Sequence, residues 1–184
     1  KLGNWYKDIH NFLILEKTEG TTLRESLINK LISKKQLLSI IQQIGSFLGE
    51  IHSITFDFFG DFSIQEDNNF QSTDKISSFW GKTFDSWRKA FIAFCLDNLN
   101  WVDSRSFPNY RDKLKDLIYN FAEKISEPQT GCFVHSDLQP TNILIENSRI
   151  TAFLDFEWAY SGSASFDFAL TLNGLFYSRF PSLV

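Results

Sequence analysis

His135-Ser136-Asp137-Leu138-Gln139-Pro140-Thr141-Asn142, with Asp155-Phe156-Glu157 downstream, is the stretch of this chain that decides its reading. Ile143-Leu144-Ile145-Glu146 and Ile150-Thr151-Ala152-Phe153-Leu154 are short β-rich runs, and Asn147-Ser148-Arg149 between them is a turn signal. The spacing therefore predicts a hairpin. If Glu146 pairs with Ile150, the same register sets Asn142 opposite Leu154, and directly opposed residues lie about 4.5–5.5 Å apart. Such a hairpin returns Asp155 to the neighbourhood of Asn142, while Asp137 stands on the loop that enters it. Two carboxylates and an amide oxygen would then converge. That is a hard, oxygen-only ligand set, which favours Mg²⁺ over zinc, and it suits a hydroxyl acceptor and a divalent cation beside a nucleotide phosphate.

The pattern His-x-Asp-x-x-x-x-Asn followed by Asp-Phe-Glu resembles the catalytic core of the aminoglycoside phosphotransferase and choline kinase-like family, relatives of the protein kinases. Phe166-Asp167-Phe168-Ala169-Leu170 is similar to the Tyr-Asp-Leu-Ala element of those enzymes, and Phe12-Leu13-Ile14-Leu15-Glu16-Lys17-Thr18-Glu19-Gly20 to their adenine-holding strand and hinge. The resemblance runs from Phe12 to Leu170, whereas the segment between Ser53 and Pro108 matches no family motif. It implies an α+β, mostly helical fold: a protein-kinase-like C-terminal lobe with a short catalytic β-hairpin and most of the N-terminal lobe missing. Residues 1–20 would be a remnant of the N-lobe strand and hinge, and residues 21–184 the helical lobe.

The resemblance also implies the roles. Asp137 orients the acceptor hydroxyl and takes its proton, since phosphoryl transfer is mostly positioning and charge neutralisation. Asn142 and Asp155 hold Mg²⁺; the Glu16 carbonyl and Thr18 N–H hold the adenine of ATP. His135 and Asp167 support the loop, and Glu157, Trp158 and Tyr160 are candidates to face a small-molecule substrate, a cationic one being suited to a carboxylate with aromatic faces. Asp-Phe-Glu-Trp in place of Asp-Phe-Gly favours the small-molecule branch, as does the lack of an Ala-Pro-Glu-like element. Ser136 lies between His135 and Asp137, but sequence neighbours cannot arrange a nucleophilic triad, which needs spatial convergence.

Family members carry a phosphate-covering loop, a Lys and its Glu partner upstream of the hinge, and too few residues precede Phe12 for these. The chain starts at Lys1, contains no Met and ends soon after Asp167. The expectation is a kinase-like lobe cut at both ends and impaired in activity. The alternative is a non-catalytic remnant that serves as a binding module.

Composition sets the outer bounds. A chain of 184 residues with 43% hydrophobic and 22% charged content can bury a core of its own. The 20 Phe point to a core dense in rings. A net charge of −4 without a basic stripe argues against nucleic acid as partner. Cys95 and Cys132 have no metal or disulfide spacing, and no signal peptide or long apolar run stands out, so cytoplasmic location without a membrane partner is expected.

Along the chain, Leu13-Ile14-Leu15 reads as a buried strand. Thr22 with Glu25 and Ser33 with Gln36 read as capping boxes. Leu37, Leu38, Ile41, Ile44, Phe47, Leu48 and Ile51 recur at helical steps up to His52, which reads as a packing and capping residue. Residues 58–74 read as a connecting loop. Trp80, Phe84, Trp87, Phe91, Phe94 and Leu99 suggest aromatic-rich helices, and a helix marked by Tyr110, Leu114, Leu117 and Phe121 follows Pro108. Gly131-Cys132-Phe133-Val134 reads as the strand that delivers His135.

Overall fold

A computed structural model describes residues 17–62, 81–100 and 110–172. Among the described residues, five α-helices and eight short strands are arranged with two antiparallel sheets. In chain order they are β1 (Thr21–Thr22), α1 (Leu23–Ile28), α2 (Lys34–His52), β2 (Thr55–Phe56), β3 (Phe59–Gly60), β4 (Thr83–Phe84), α3 (Trp87–Leu99), α4 (Tyr110–Ala122), β5 (Gly131–Val134), β6 (Ile143–Glu146), β7 (Arg149–Phe153), β8 (Tyr160–Gly162) and α5 (Ala164–Leu172). The predicted strand at Leu13–Leu15 lies outside the described residues.

Local chemistry accounts for the helix starts. Thr22 Oγ1 accepts from the N–H of Glu25 at 3.1 Å and opens α1. Ser33 and Gln36 close a reciprocal capping box at α2: the Ser33 hydroxyl accepts from the Gln36 N–H, and the Gln36 side chain accepts from the Ser33 N–H at 2.8 Å. Ser86 caps α3 by accepting from the N–H of Lys89. Two backbone N–H groups at the start of α3, those of Trp87 and Arg88, are also satisfied from a distance by the Glu127 carboxylate.

The first sheet has the order β1-β6-β7 and packs against α2. Ile40, Ile44, Leu48 and Ile51 on one face of α2 meet Leu23, Leu138, Ile143 and Ile145, and all eight are buried. Phe47 stacks on Phe153 with ring centroids 3.6 Å apart. The second sheet has the order β2-β5-β8-β3-β4 and covers a core of Phe59, Trp87, Ala90, Cys132, Val134 and Tyr160. Gly131 is required there, because a Cβ would stand 2.0 Å from Ser161 Oγ and 2.6 Å from the Phe58 carbonyl oxygen.

The structure departs from the expectations at three places. The segment expected as a loop after Phe58 contains β3, and Phe84 lies on β4 rather than on a helix; both strands are too short for a periodic pattern. The hairpin turn is also tighter than expected. Glu146 pairs with Arg149, not Ile150, so the turn is the two residues Asn147 and Ser148, with φ of 50° and 65°. Both values suit a two-residue hairpin loop twisted like its strands. A bulge then restores the expected register at the open end, where Ile143 pairs with Phe153.

Candidate active site

The catalytic-loop motif enters from β5 and leaves into β6, so each end is tied to a different sheet. The N–H of Leu154 donates to the carbonyl of Asn142 at 2.8 Å, which sets the backbones of the Asn142 and Asp155 segments side by side. Asn142 sits at the end of a 3₁₀ turn begun by Pro140. Its side-chain amide donates to both the Oδ2 and the backbone carbonyl of Asp137, each at 2.9 Å. The donor end of Asn142 is thereby spent on Asp137, and its acceptor oxygen is left for another partner. Gln139 Nε2 donates to the other Asp137 oxygen at 2.6 Å. The Asp137 carboxylate is half-buried and held from both sides by amides.

Asp155 adopts the left-handed conformation (φ 69°, ψ 60°) and leads into a 3₁₀ turn at Phe156–Trp158. Its carboxylate is exposed. Ser136 is left-handed too, with φ 71°. Left-handed backbone is costly for a residue with a Cβ and persists where surrounding contacts hold it. The holding contacts at Ser136 come from Asp167 on α5, which is 0% exposed. Its Oδ2 accepts from the N–H of His135 and its Oδ1 from the N–H of Ser136, both at 2.8 Å. His52, at the end of α2, adds a third donor, with Nε2 3.1 Å from Asp167 Oδ2. The Phe168 and His52 rings pack in a T-shaped arrangement with centroids 5.7 Å apart.

His135 is also 0% exposed, and its ring joins the two halves of the site. Nε2 lies 3.0 Å from the carbonyl oxygen of Leu154, and Nδ1 accepts from the N–H of Asp137 at 3.3 Å. A carbonyl can only accept, so Nε2 carries the hydrogen and Nδ1 is bare; the ring is the neutral tautomer. Burial agrees, pushing the His135 pKa below its ordinary value despite the opposing pull of Asp167 and the Leu154 carbonyl. Phe156 lies against the ring at 4.4 Å between centroids. Nearby, burial and, next, the negative charge of Asp167 push the Cys132 thiol up to about 11, so it stays protonated.

Among the expected site residues, Asp137, Asn142 and the backbone of Asp155 are thus brought together. Thr18 is exposed, and Glu16 lies outside the described residues. Glu157 and Trp158 are exposed beside Asp155. Tyr160 corrects the sequence reading: it is 1% exposed and stacks on Trp87 at 6.3 Å, so its ring belongs to the core of the second sheet and not to a substrate wall. A three-residue strand buried on both faces carries no alternation that could reveal this. Sequence reasoning also missed the bond from His52 to Asp167. His52 braces the residue that holds the catalytic loop, and no local pattern links two positions so far apart in the chain.

No group of three or more His, Cys, Asp or Glu able to hold a metal occurs among the described residues. Of the expected oxygen donors, the Asp137 carboxylate is engaged by two amides and the Asp155 side chain is exposed.

Two crystal structures of thermostable variants of the aminoglycoside phosphotransferase APH(4)-Ia are similar to this chain. One, in ternary complex with ADP and hygromycin B, has a TM-score of 0.56 at 23% identity and covers 84% of this chain and 47% of its own. The other, with AMP-PNP and hygromycin B, has a TM-score of 0.53 at 20% identity and covers 83% and 46%. The kinase-like fold is shared, and the chain spans less than half the length of those structures. A search of curated proteins found no match. The profile of the phosphotransferase enzyme family matches residues 4–184, and the chain belongs to that family.

Proposed function

We propose that this chain carries the catalytic loop of an ATP- and Mg²⁺-dependent phosphotransferase acting on a hydroxyl of a small molecule, an amino-sugar or an amino-alcohol. The observation that carries the reading is the orientation of Asn142: both donations of its amide go to Asp137, which leaves its oxygen for a cation, and the Leu154 N–H bonded to the Asn142 carbonyl brings the backbone of exposed Asp155 alongside. The neighbours' complexes with ADP, AMP-PNP and hygromycin B support a nucleotide together with a small molecule.

In this reading Asn142 and Asp155 hold Mg²⁺, which neutralises charge on the phosphates. Asp137 orients the acceptor hydroxyl and takes its proton as the new O–P bond forms and the bond to the ADP oxygen breaks. The amides of Asn142 and Gln139 fix the Asp137 carboxylate before any substrate arrives, so little reorganisation accompanies the transfer. His135 stays neutral and staples the loop. By resemblance, residues 1–20 would supply the hinge, with the Glu16 carbonyl and Thr18 N–H as the adenine contacts, and residues 21–184 the helical lobe. Phe156, Glu157 and Trp158 line the acceptor side, where a carboxylate between aromatic faces suits an ammonium group.

The test is ADP release across a panel of amino-sugars and amino-alcohols, with turnover by the 184-residue chain alone expected to be weak. The expected result is acceptor-dependent turnover that stops on adding EDTA and falls about 10²–10⁴-fold in Asp137→Asn. Unchanged turnover in Asp137→Asn would overturn the assignment.

A further inference from the structure

The β6–β7 hairpin pairs irregularly. Ile143 faces Phe153 and Leu144 faces Ala152, but Ile145 faces Ile150 and Glu146 faces Arg149. Thr151 is the extra residue, without a partner across the ladder. Ile150 and Phe153 are three positions apart, and a regular strand would send them to opposite faces. With the bulge, both pack against the core built on α2. The bulge is therefore what lets the tip and the open end of the hairpin bury their apolar residues on one side.

A bulge disrupts the ladder and leaves backbone groups to be satisfied elsewhere. One side chain of α2 does this. Gln43 Oε1 accepts from the N–H of Ile150 at 2.9 Å, and Gln43 Nε2 donates to the carbonyl of Ser148 at 3.1 Å. Gln36, about two turns earlier on the same face of α2, donates to the Ser148 hydroxyl at 2.7 Å. Thr151 itself turns outward, and its hydroxyl donates to the Glu19 carbonyl at 2.9 Å. Were the tip register to continue through the strand, Asn142 would face Phe153 instead of Leu154. Asp155 would then move by one residue, about 3.3 Å, and alternate to the other face.

We propose that Gln43 is a positioning residue of the candidate site: by holding the bulge it keeps Leu154 across from Asn142 and so fixes where Asp155 stands. What Asp155 does there rests on the function proposed above; the register control does not.

Three variants of the 184-residue chain separate these points. Gln43→Leu removes both bonds to the hairpin and the one to the Ser39 carbonyl, Gln43→Glu keeps the acceptor for Ile150 and loses the donor to Ser148, and Gln42→Leu is an exposed control on the same helix. Amide hydrogen exchange is followed at Ile150 and Leu154, and AMP-PNP is titrated calorimetrically with and without Mg²⁺. In Gln43→Leu, exchange at both amides should rise about 10-fold, the size of one net hydrogen bond, and the Mg²⁺-dependent gain in affinity should fall by about the same factor. Gln43→Glu should lie between, and Gln42→Leu should match the parent. Faster exchange confined to Ile150, no change at either amide, or an equal effect in Gln42→Leu overturns the proposal. Faster exchange at Leu154 with unaltered Mg²⁺ dependence overturns the tie to the metal. A parent chain that shows no Mg²⁺-dependent binding, while Leu154 still responds to Gln43→Leu, sinks the phosphotransferase reading and leaves register control standing.

Discussion

Asp167→Asn is the substitution that best probes how the loop is held. The carboxylate accepts three donors: His135 N–H and His52 Nε2 at Oδ2, and Ser136 N–H at Oδ1. An asparagine can keep its oxygen toward the two donors at the Oδ2 position. Its NH₂ then faces the Ser136 N–H, donor against donor, at a residue already held in left-handed backbone. Hydrogen bonds to a charged group are worth about 1.5–3 kcal/mol, and a buried donor left unpaired costs about 1–3 kcal/mol. Taking the middle of these partly overlapping terms, the loss is about 3 kcal/mol, or roughly 6–12 °C in Tm for a chain of this size. Urea denaturation of both chains measures the free energy, and amide exchange at Ser136 should rise before that at Leu138. A loss below about 1 kcal/mol would show that the buried carboxylate does not carry the loop, and the bracing scheme would fail.

Other consequences follow from the same geometry. Because burial lowers the pKa of His135 in the folded chain, the unfolded chain binds more protons on that ring below its ordinary value of 6.5. Its contribution is full above that pH and is lost as pH falls toward the depressed folded value; a His135→Gln chain should lose this part of the pH dependence of urea stability. Phe47→Ala removes a half-buried ring stacked on Phe153 and should cost about 1–3 kcal/mol by the same measurement, with no measurable loss refuting that packing. Ser136→Gly should be neutral or stabilising by up to about 1 kcal/mol, since its φ of 71° suits glycine and its N–H still reaches Asp167, whereas Ser136→Val should destabilise by about 1–2 kcal/mol.

What the sequence made legible is what local chemistry determines. The α2 start was readable because Ser33 and Gln36 satisfy each other within one turn. The hairpin was readable because β-rich runs flank turn residues, and its open end has the expected register. The tip was not, because the choice between a three-residue turn and a two-residue turn plus bulge is settled by Gln43, over a hundred positions away in the chain. The second sheet was illegible for a related reason. Its strands are two to four residues long and come from separated segments, so propensity has no window in which to accumulate. Tyr160 looked like a site residue only because it follows the Asp155 segment; its burial depends on Trp87 arriving from another helix.

The spacing of the motif has a mechanical basis. Val134, Leu138 and Ile143 are each at most 1% exposed, and they bracket the residues that face outward. Asp137 lies between buried His135 and buried Leu138, and Asn142 is followed at once by buried Ile143. Asp137 and Asn142 are thus each one residue from an anchor in the first core, Leu138 and Ile143, while Val134 ties the entry of the loop to the second. Moving Asp137 relative to Asn142 would require uncovering a Leu or an Ile, at about 1.5–3 kcal/mol for each side chain. That cost, with the His135 ring spanning from the Asp137 N–H to the Leu154 carbonyl, is what allows half-exposed side chains on a loop to keep a defined geometry.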